Sequence, residues 1–324
     1  MQVYRNPANL PSFNKAVITI GTFDGVHTGH QQIIRQLIQE ADAIGGETLI
    51  ITFDPHPRKI INGRHEEIRL INTLDEKIEL LARNGIDHLV IIPFTTAFSQ
   101  MSAEEYIRDF LIEKFHPHTI IIGYDHRFGK GRTGDYHLME EMSPLYHYRL
   151  CEIPVHVLNA ISVSSTRIRK AITGSEIDIA NRLLGYSFFF EGKIVEGDKL
   201  GHSIGYPTAN LLTGDPEKII PGDGVYAVHT SIVKNISTEH SFLIPIRAEK
   251  YRGMMNIGFR PTVGGNKHMI EVNIFEFNQS IYGQILRVYV ESWMRPEIKF
   301  KGLSELKAQL EKDGIQARQI LGVS

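Results

Sequence analysis

Two different rhythms of apolar and polar positions divide the chain. In the first half, short apolar, β-branched runs recur at residues 17–20, 49–53, 88–94 and 119–122. Segments with apolar residues at helical spacing lie between them, at 31–44, 74–84 and 103–115. Ser102 and Glu105 form a capping box that opens the last of these. Strands alternating with helices of this length predict βαβ units, and hence an α/β domain with a doubly wound parallel sheet. Ligands of such sheets bind beyond the carboxyl ends of the strands.

The second half is built from short strand-like runs crowded together, at 188–195, 224–232, 254–257, 270–277 and 285–291. Turn-rich segments separate them. This predicts an antiparallel sheet or small β-barrel. One amphipathic helix is expected at 303–312 and a second at 315–321. The rhythm changes near Leu183-Leu184-Gly185-Tyr186, which places a domain boundary between 1–182 and 183–324. A length of 324 residues agrees with two domains.

Composition narrows the class. Hydrophobic residues make up 42% of the chain, enough for ordinary cores. A formal net charge of -2 provides no basic footprint for nucleic acid and no polybasic membrane patch. The one cysteine, Cys151, cannot form a disulfide within the chain and reads as a small packed residue. The first ten residues contain no signal-like apolar run, and no stretch reaches the roughly 18 apolar residues of a membrane helix. A soluble protein of the reducing cytoplasm is expected.

Residues 21–30 read GTFDGVHTGH, after a strand and at the opening of a helix. Gly21 and Gly25 allow a tight turn, and Gly29 removes a side chain where a nucleotide would pack. Free N–H groups and the positive dipole end at a helix start suit phosphate. His27 and His30 share one face of the first turn, placed to donate to a phosphate as charge builds. Downstream, residues 164–169 read Ser-Ser-Thr-Arg-Ile-Arg. Hydroxyls and a guanidinium at a helix start suit a leaving pyrophosphate, although the same string is also an ordinary helix cap.

The first string resembles the His-x-Gly-His signature of the nucleotidylyltransferase superfamily, and the second resembles its later signature. Three further strings, TFDPHP (52–57), FSQMSAEEY (98–106) and IGYDHRFGKGRTG (122–134), resemble the adenylyltransferase module of prokaryotic bifunctional FAD synthetases. That resemblance implies a Rossmann-like nucleotidylyltransferase fold and catalytic roles for His27 and His30. It also implies ATP or phosphate contacts from Gly21, Phe23, Asp24, Gly25, Gly29, Ser165, Thr166 and Arg169, and a flavin contact from Asp125. His126 departs from the family's more frequent phenylalanine.

In the second half, residues 201–210 read GHSIGYPTAN. Thr208 and Asn210 face the same side of an extended segment, and their oxygens suit Mg²⁺ rather than a soft metal. A polar turn before a strand reads equally well from the residues alone. Gly201 and Gly205 leave room for phosphates. PGDGVYAV (221–228), MNIGFRPTVGG (255–265), IEVNIFEFNQSIYG (270–283) and the stretch 293–302 all resemble the riboflavin kinase family. That resemblance implies an antiparallel barrel with a helix and makes Glu271 the catalytic base, where the residues alone suggest a strand carboxylate on the wet face. It places Asn256 and Arg260 near the flavin. His202 stands where the family often has arginine.

Together the resemblances imply a bifunctional enzyme. Riboflavin and ATP would become FMN in the second half, and FMN and ATP would become FAD and pyrophosphate in the first, with Mg²⁺ arriving with ATP. The partners implied are riboflavin, FMN and ATP, with no nucleic acid and no membrane; oligomeric state is not legible. Two competitors are a flavin-binding regulator without catalysis and a nucleotidylyltransferase for another substrate with a structural second half.

Overall fold

The computed structural model describes residues 1–61, 68–123, 126–153, 163–197, 205–233, 249–262 and 265–322, and at 260–262 and 265–267 only the backbone. The chain folds into two compact units, Met1–Ser165 and Thr166–Ser324.

The first unit is a parallel α/β sheet. In chain order it contains β1 (Gln2–Tyr4), β2 (Val17–Ile20), α1 (Thr28–Ile44), β3 (Thr48–Asp54), α2 (Pro57–Ile61), α3 (Leu74–Arg83), β4 (His88–Pro93) and α4 (Thr96–Ser99). A helical segment α5 at 103–115, β5 (Thr119–Gly123), α6 (Tyr136–Tyr146) and β6 (Arg149–Ile153) complete it. The sheet order is β1-β4-β3-β2-β5-β6, with every pairing parallel. The first six residues of β3 and the first five of β4 are buried in unbroken runs. That is the mark of parallel strands covered on both faces, and it is why the runs read as continuous rather than alternating.

The expected strands and helices of this unit are present, and α2, α4 and α6 add to the helical segments read from the sequence. β1 and β6 border the sheet and are too short or too polar to stand out in the sequence. Within α5, Tyr106–Ile112 is wound as a π-helix. The wider winding lets Tyr106, Ile107, Phe110 and Leu111 all face the core. π-turns of this kind occur mostly as short insertions at functional sites.

The second unit begins with α7 (Ser165–Thr173), which straddles the division, and α8 (Ile177–Leu184). It continues with β7 (Phe189–Val195), β8 (Ala209–Thr213), β9 (Gly224–Val233), β10 (Tyr251–Thr262), β11 (Gly265–Ile274), β12 (Ile285–Arg295) and α9 (Leu303–Ile320). The six strands close into a barrel in the order β10-β11-β8-β7-β12-β9, with antiparallel pairing throughout. Closure leaves no open edge to be protected. α8 is pinned to the barrel by Asn181, which donates to Val290 O at 2.9 Å and accepts from Phe188 N at 2.7 Å.

The two helices expected at the C-terminus are one. α9 runs unbroken through Asp313-Gly314. A glycine inside a helix costs about 1 kcal/mol relative to alanine. Here Asp313, 1% exposed, is held by a forked pair from Arg295 at 2.8 and 2.6 Å and by Gln309 at 2.9 Å. These bonds carry the helix across the weak point.

Candidate active sites

The first site forms where β2 hands over to α1. Gly21 N continues the ladder to Ile51 O at 3.0 Å. The chain then turns through three positive-φ residues, Phe23 (47°), Gly25 (91°) and Val26 (34°). For a β-branched valine this is an outlier, and such strain gathers where a loop must aim its groups. Asp24 locks the loop. Its buried carboxylate accepts from Ile71 N at 3.0 Å and Asn72 N at 3.2 Å, and Ser165 Oγ donates to its carbonyl at 2.9 Å. Asp24 and Ser165, both expected at the phosphate site, are thus brought together. Thr166 and Arg169 follow on α7.

His27 is the N-cap of α1. Its Nδ1 accepts from His30 N at 3.3 Å, so the neutral ring carries its proton on Nε2, free to donate outward. The His30 ring stacks on it, with centroids 3.7 Å apart and planes 14° apart. Phe23 backs His30 at 4.9 Å. A Cβ at Gly29 would lie 3.2 Å from the His27 ring and displace it. The two imidazoles therefore act as one preformed pair. His30 Nδ1 is buried with no hydrogen-bond partner in the protein. A buried ring nitrogen left unmatched is costly unless a ligand completes it.

Burial pushes the His27 pKa down to about 4, against a partial rise from Asp24. Burial also holds His30 well below its ordinary value, helped by the neighbouring charges of His27 and Lys77. Both rings are neutral at pH 7, each with one N–H to give. A stability effect follows. Between pH 6.5 and 4 the unfolded chain takes up the proton at His27 and the folded chain does not. Stability is fully present above pH 6.5 and is lost as pH falls towards 4, by up to about 3 kcal/mol for this group. Denaturant unfolding of the parent and His27→Gln at pH 7, 5.5 and 4.5 should show a shallower pH dependence in the variant. Equal slopes would contradict it.

The sequence strings 98–106 and 122–134 meet. Gly129 takes φ 71°, and a Cβ there would lie 2.8 Å from Ala103 Cα. Lys130 N donates to Met101 O at 2.7 Å. Tyr106 and Phe128 stack at 4.9 Å, and His126 lies 5.8 Å from Phe128. Both rings are buried in the hydrophobic core of the sheet unit, so the stack ties the two strings together. Asp125 lies outside the described residues.

The second site is a row across three barrel strands. Glu271 on β11 is in register with Asn256 on β10 and with Asn210 on β8. Directly paired residues project to the same face, so the three side chains are neighbours. Glu271 and Asn210 are both buried. Asn210 Oδ1 has no partner in the protein. Gly197 makes room for its amide, because a Cβ there would fall 2.0 Å from Asn210 Nδ2. Asn256 donates to Glu297 Oε1 at 3.2 Å. Thr208 precedes β8 and lines a cavity of about 330 Å³ walled by Ile194, Val272, Ile274, Phe277 and Tyr282. Gly205 takes φ 86°. Gly201 and His202 lie outside the described residues, as does the side chain of Arg260.

Sequence reasoning missed Lys77, which α3 buries next to the first site. Its signal was a lysine on the same helical face as Leu80 and Leu81. Missed too was the apolar cavity, whose lining comes from β7, the start of β8, β11 and the segment after it.

A family described as FAD synthetase matches residues 10–167, and one described as riboflavin kinase matches residues 184–321. A bifunctional riboflavin kinase/FMN adenylyltransferase of Listeria monocytogenes is 35% identical, over 92% of this chain and 90% of the relative. Its Escherichia coli K12 counterpart is 32% identical over 95% and 93%. A Streptococcus pneumoniae crystal structure titled as a macrolide-efflux protein superposes with a TM-score of 0.84 and 30% identity, covering 98% of both chains. Among the described residues no helix is long and apolar enough to cross a membrane. With a phosphate-suited helix start in a parallel sheet, a row of one glutamate and two asparagines across a closed barrel, and relatives matched across nearly their whole length, this chain belongs to the bifunctional riboflavin kinase/FMN adenylyltransferase family.

Proposed function

We propose that the barrel unit phosphorylates riboflavin to FMN and that the parallel-sheet unit joins FMN to the adenylyl group of a second ATP, releasing pyrophosphate. The functional boundary is drawn between residues 182 and 183, within the gap between the two family matches, although α7 and α8 fall in the same compact unit as the barrel. Both reactions belong to the cytoplasm, consistent with a single cysteine. The partners are small molecules, in keeping with a near-balanced surface charge.

In the barrel, Glu271 takes the proton from the ribityl hydroxyl as that oxygen attacks the γ-phosphate of ATP. Asn256 sits beside it and, with Arg260, positions the flavin. The orphaned oxygen of Asn210 and the Thr208 hydroxyl fit Mg²⁺, a hard cation that keeps few protein ligands and shares the rest with phosphates. Mg²⁺ supplies charge neutralisation on those phosphates. Gly201 and Gly205 leave space for them, and the cavity beside Thr208 has the apolar walls a purine needs.

In the sheet unit, the Nε2–H of His27 and the ring of His30 bind the α-phosphate as negative charge grows on it. The loop of Gly21, Phe23, Asp24, Gly25 and Gly29 shapes the nucleotide floor, with Asp24 as its lock. Ser165, Thr166 and Arg169 hold the β- and γ-phosphates until pyrophosphate leaves. Asp125 contacts the flavin, with His126 next to it in sequence.

The single observation that carries this reading is that two residues expected at the sites, His30 in one matched region and Asn210 in the other, each hold a buried polar atom, Nδ1 and Oδ1, with no partner in the protein. Incubated with riboflavin, ATP and Mg²⁺, the protein should yield FMN and then FAD. Asn210→Ala should move the Mg²⁺ titration of the first step to higher concentration, since one of few protein ligands is gone. Riboflavin left unchanged would overturn the function. An unmoved Mg²⁺ titration would remove Asn210 from the metal site.

A further inference from the structure

Thr208 stands just outside the barrel ladder. β8 begins at Ala209, and its pairing with β11 runs from Ile270↔Leu211 through Glu271↔Asn210 to Val272↔Ala209. One step further, the antiparallel register would set Asn273 across from Thr208, where the ladder has ended. A side chain takes over there. Asn273 Nδ2 donates to Pro207 O at 2.7 Å. The Pro207 carbonyl and the Thr208 nitrogen belong to one planar peptide unit, so this bond sets the direction in which the Thr208 backbone leaves it. Asn273 is itself firmly seated. It is buried, it pairs with Met254 in the unbroken β10–β11 ladder, and a Cβ at Gly253 would fall 2.4 Å from its carbonyl oxygen. Upstream, Tyr206 packs against an apolar cluster that includes Met254, Met294 and Ala317. Residues 206–208 are therefore held at two points as they lead into β8.

We propose that Asn273 is a positioning residue for riboflavin phosphorylation, its amide holding the Pro207 carbonyl so that the oxygens of Thr208 and Asn210 are presented together beside Glu271. The inference rests on the reading of the barrel as the kinase. Asn210 takes its place from the ladder, and Thr208 takes its place from Asn273. Mg²⁺ demands near-ideal octahedral geometry, so an oxygen on an untethered segment serves it poorly. Pro207 and Thr208 also line the cavity, and its walls Val272 and Ile274 flank Asn273 on β11. One hydrogen bond thus ties the metal ligands, the nucleotide cavity and the strand of Glu271 into one unit. A partner that orients a ligand without touching the metal is commonly worth about 10–100-fold in metal affinity or activity.

The test compares Asn273→Leu, Asn273→Ala and Asn273→Gln with the parent. Leucine keeps the size and removes the donor, while glutamine keeps a donating amide. Amide hydrogen exchange is measured first, without ligand. In the leucine and alanine variants, peptides covering 206–211 should exchange faster, while the β10–β11 ladder keeps its protection and reports an intact barrel. Mg²⁺ is then titrated at fixed ADP. In these variants, protection of 206–211 should appear only at Mg²⁺ concentrations about 10-fold or more above the parent's. Riboflavin phosphorylation should show the same shift, with KM for ATP raised and KM for riboflavin unchanged; a general loosening of the barrel would raise both. Glutamine should recover most of the shift. Parental Mg²⁺ dependence in a folded leucine or alanine variant would overturn the proposal, as would a glutamine variant no better than alanine. Loss of ladder protection in both donorless variants would make Asn273 a residue of the fold alone and overturn it too. A parent protein that forms no FMN from riboflavin would instead overturn the kinase reading, and this inference with it.

Discussion

Replacing His30 with alanine is expected to abolish FAD formation while FMN still accumulates. His30 is half of a preformed pair: its ring stacks on His27 at 3.7 Å, rests against Phe23, and holds a buried nitrogen that no protein group meets. Removing one preorganised donor from a transition-state site costs about 10²–10³ in rate. The loss should be larger than a simple deletion, because the His27 ring also loses the surface it stacks on. The cap itself should survive, since it is the backbone N–H of residue 30 that donates to His27. Folding is thus spared, and flavin products separated after incubation with riboflavin and ATP should be FMN alone. FAD made at the parent rate would contradict the assignment of the helix-start site.

Glu271→Gln should do the reverse. Riboflavin phosphorylation should stop, while adenylylation of supplied FMN continues. Glutamine matches the size of glutamate and keeps a side-chain oxygen that can accept hydrogen bonds, at the same place in the row with Asn256 and Asn210. It cannot accept the hydroxyl proton, and general-base catalysis is commonly worth about 10²–10⁴ in rate. One protein assayed with two substrates separates the outcomes. If FMN still forms from riboflavin at the parent rate, Glu271 is only a strand carboxylate. If both reactions fail in a folded variant, the two sites are coupled and the modular reading is wrong.

Much of the architecture was legible because parallel strands buried on both faces leave unbroken apolar runs, as in β3 and β4. Helix starts were legible where a cap supplies its own signal, as at Ser102 and Glu105, whose two bonds are both formed. The π-winding of Tyr106–Ile112 was not, since one wide turn leaves the surrounding helical spacing almost unchanged. Nor was the continuity of α9, which depends on Arg295 reaching Asp313 from another element. The sites divide in the same way. His27 and His30 lie three residues apart at a helix start, so their pairing could be read directly. Glu271 and Asn210 become neighbours only through strand register, which no local spacing records. Flavin itself was named by resemblance of strings, not by periodicity. Lys77 escaped because a lysine on a helix reads as solvated until burial shows otherwise.

The most direct test of two phosphate chemistries in one chain follows the phosphorus. Riboflavin is supplied with ATP labelled at either the γ- or the α-phosphate. Label from the γ-position should appear first in FMN and then in FAD, because the kinase step transfers that group. Label from the α-position should enter FAD and never FMN, because only the adenylyl step transfers it. FAD that carries no α-label, or FMN that carries no γ-label, would contradict the account.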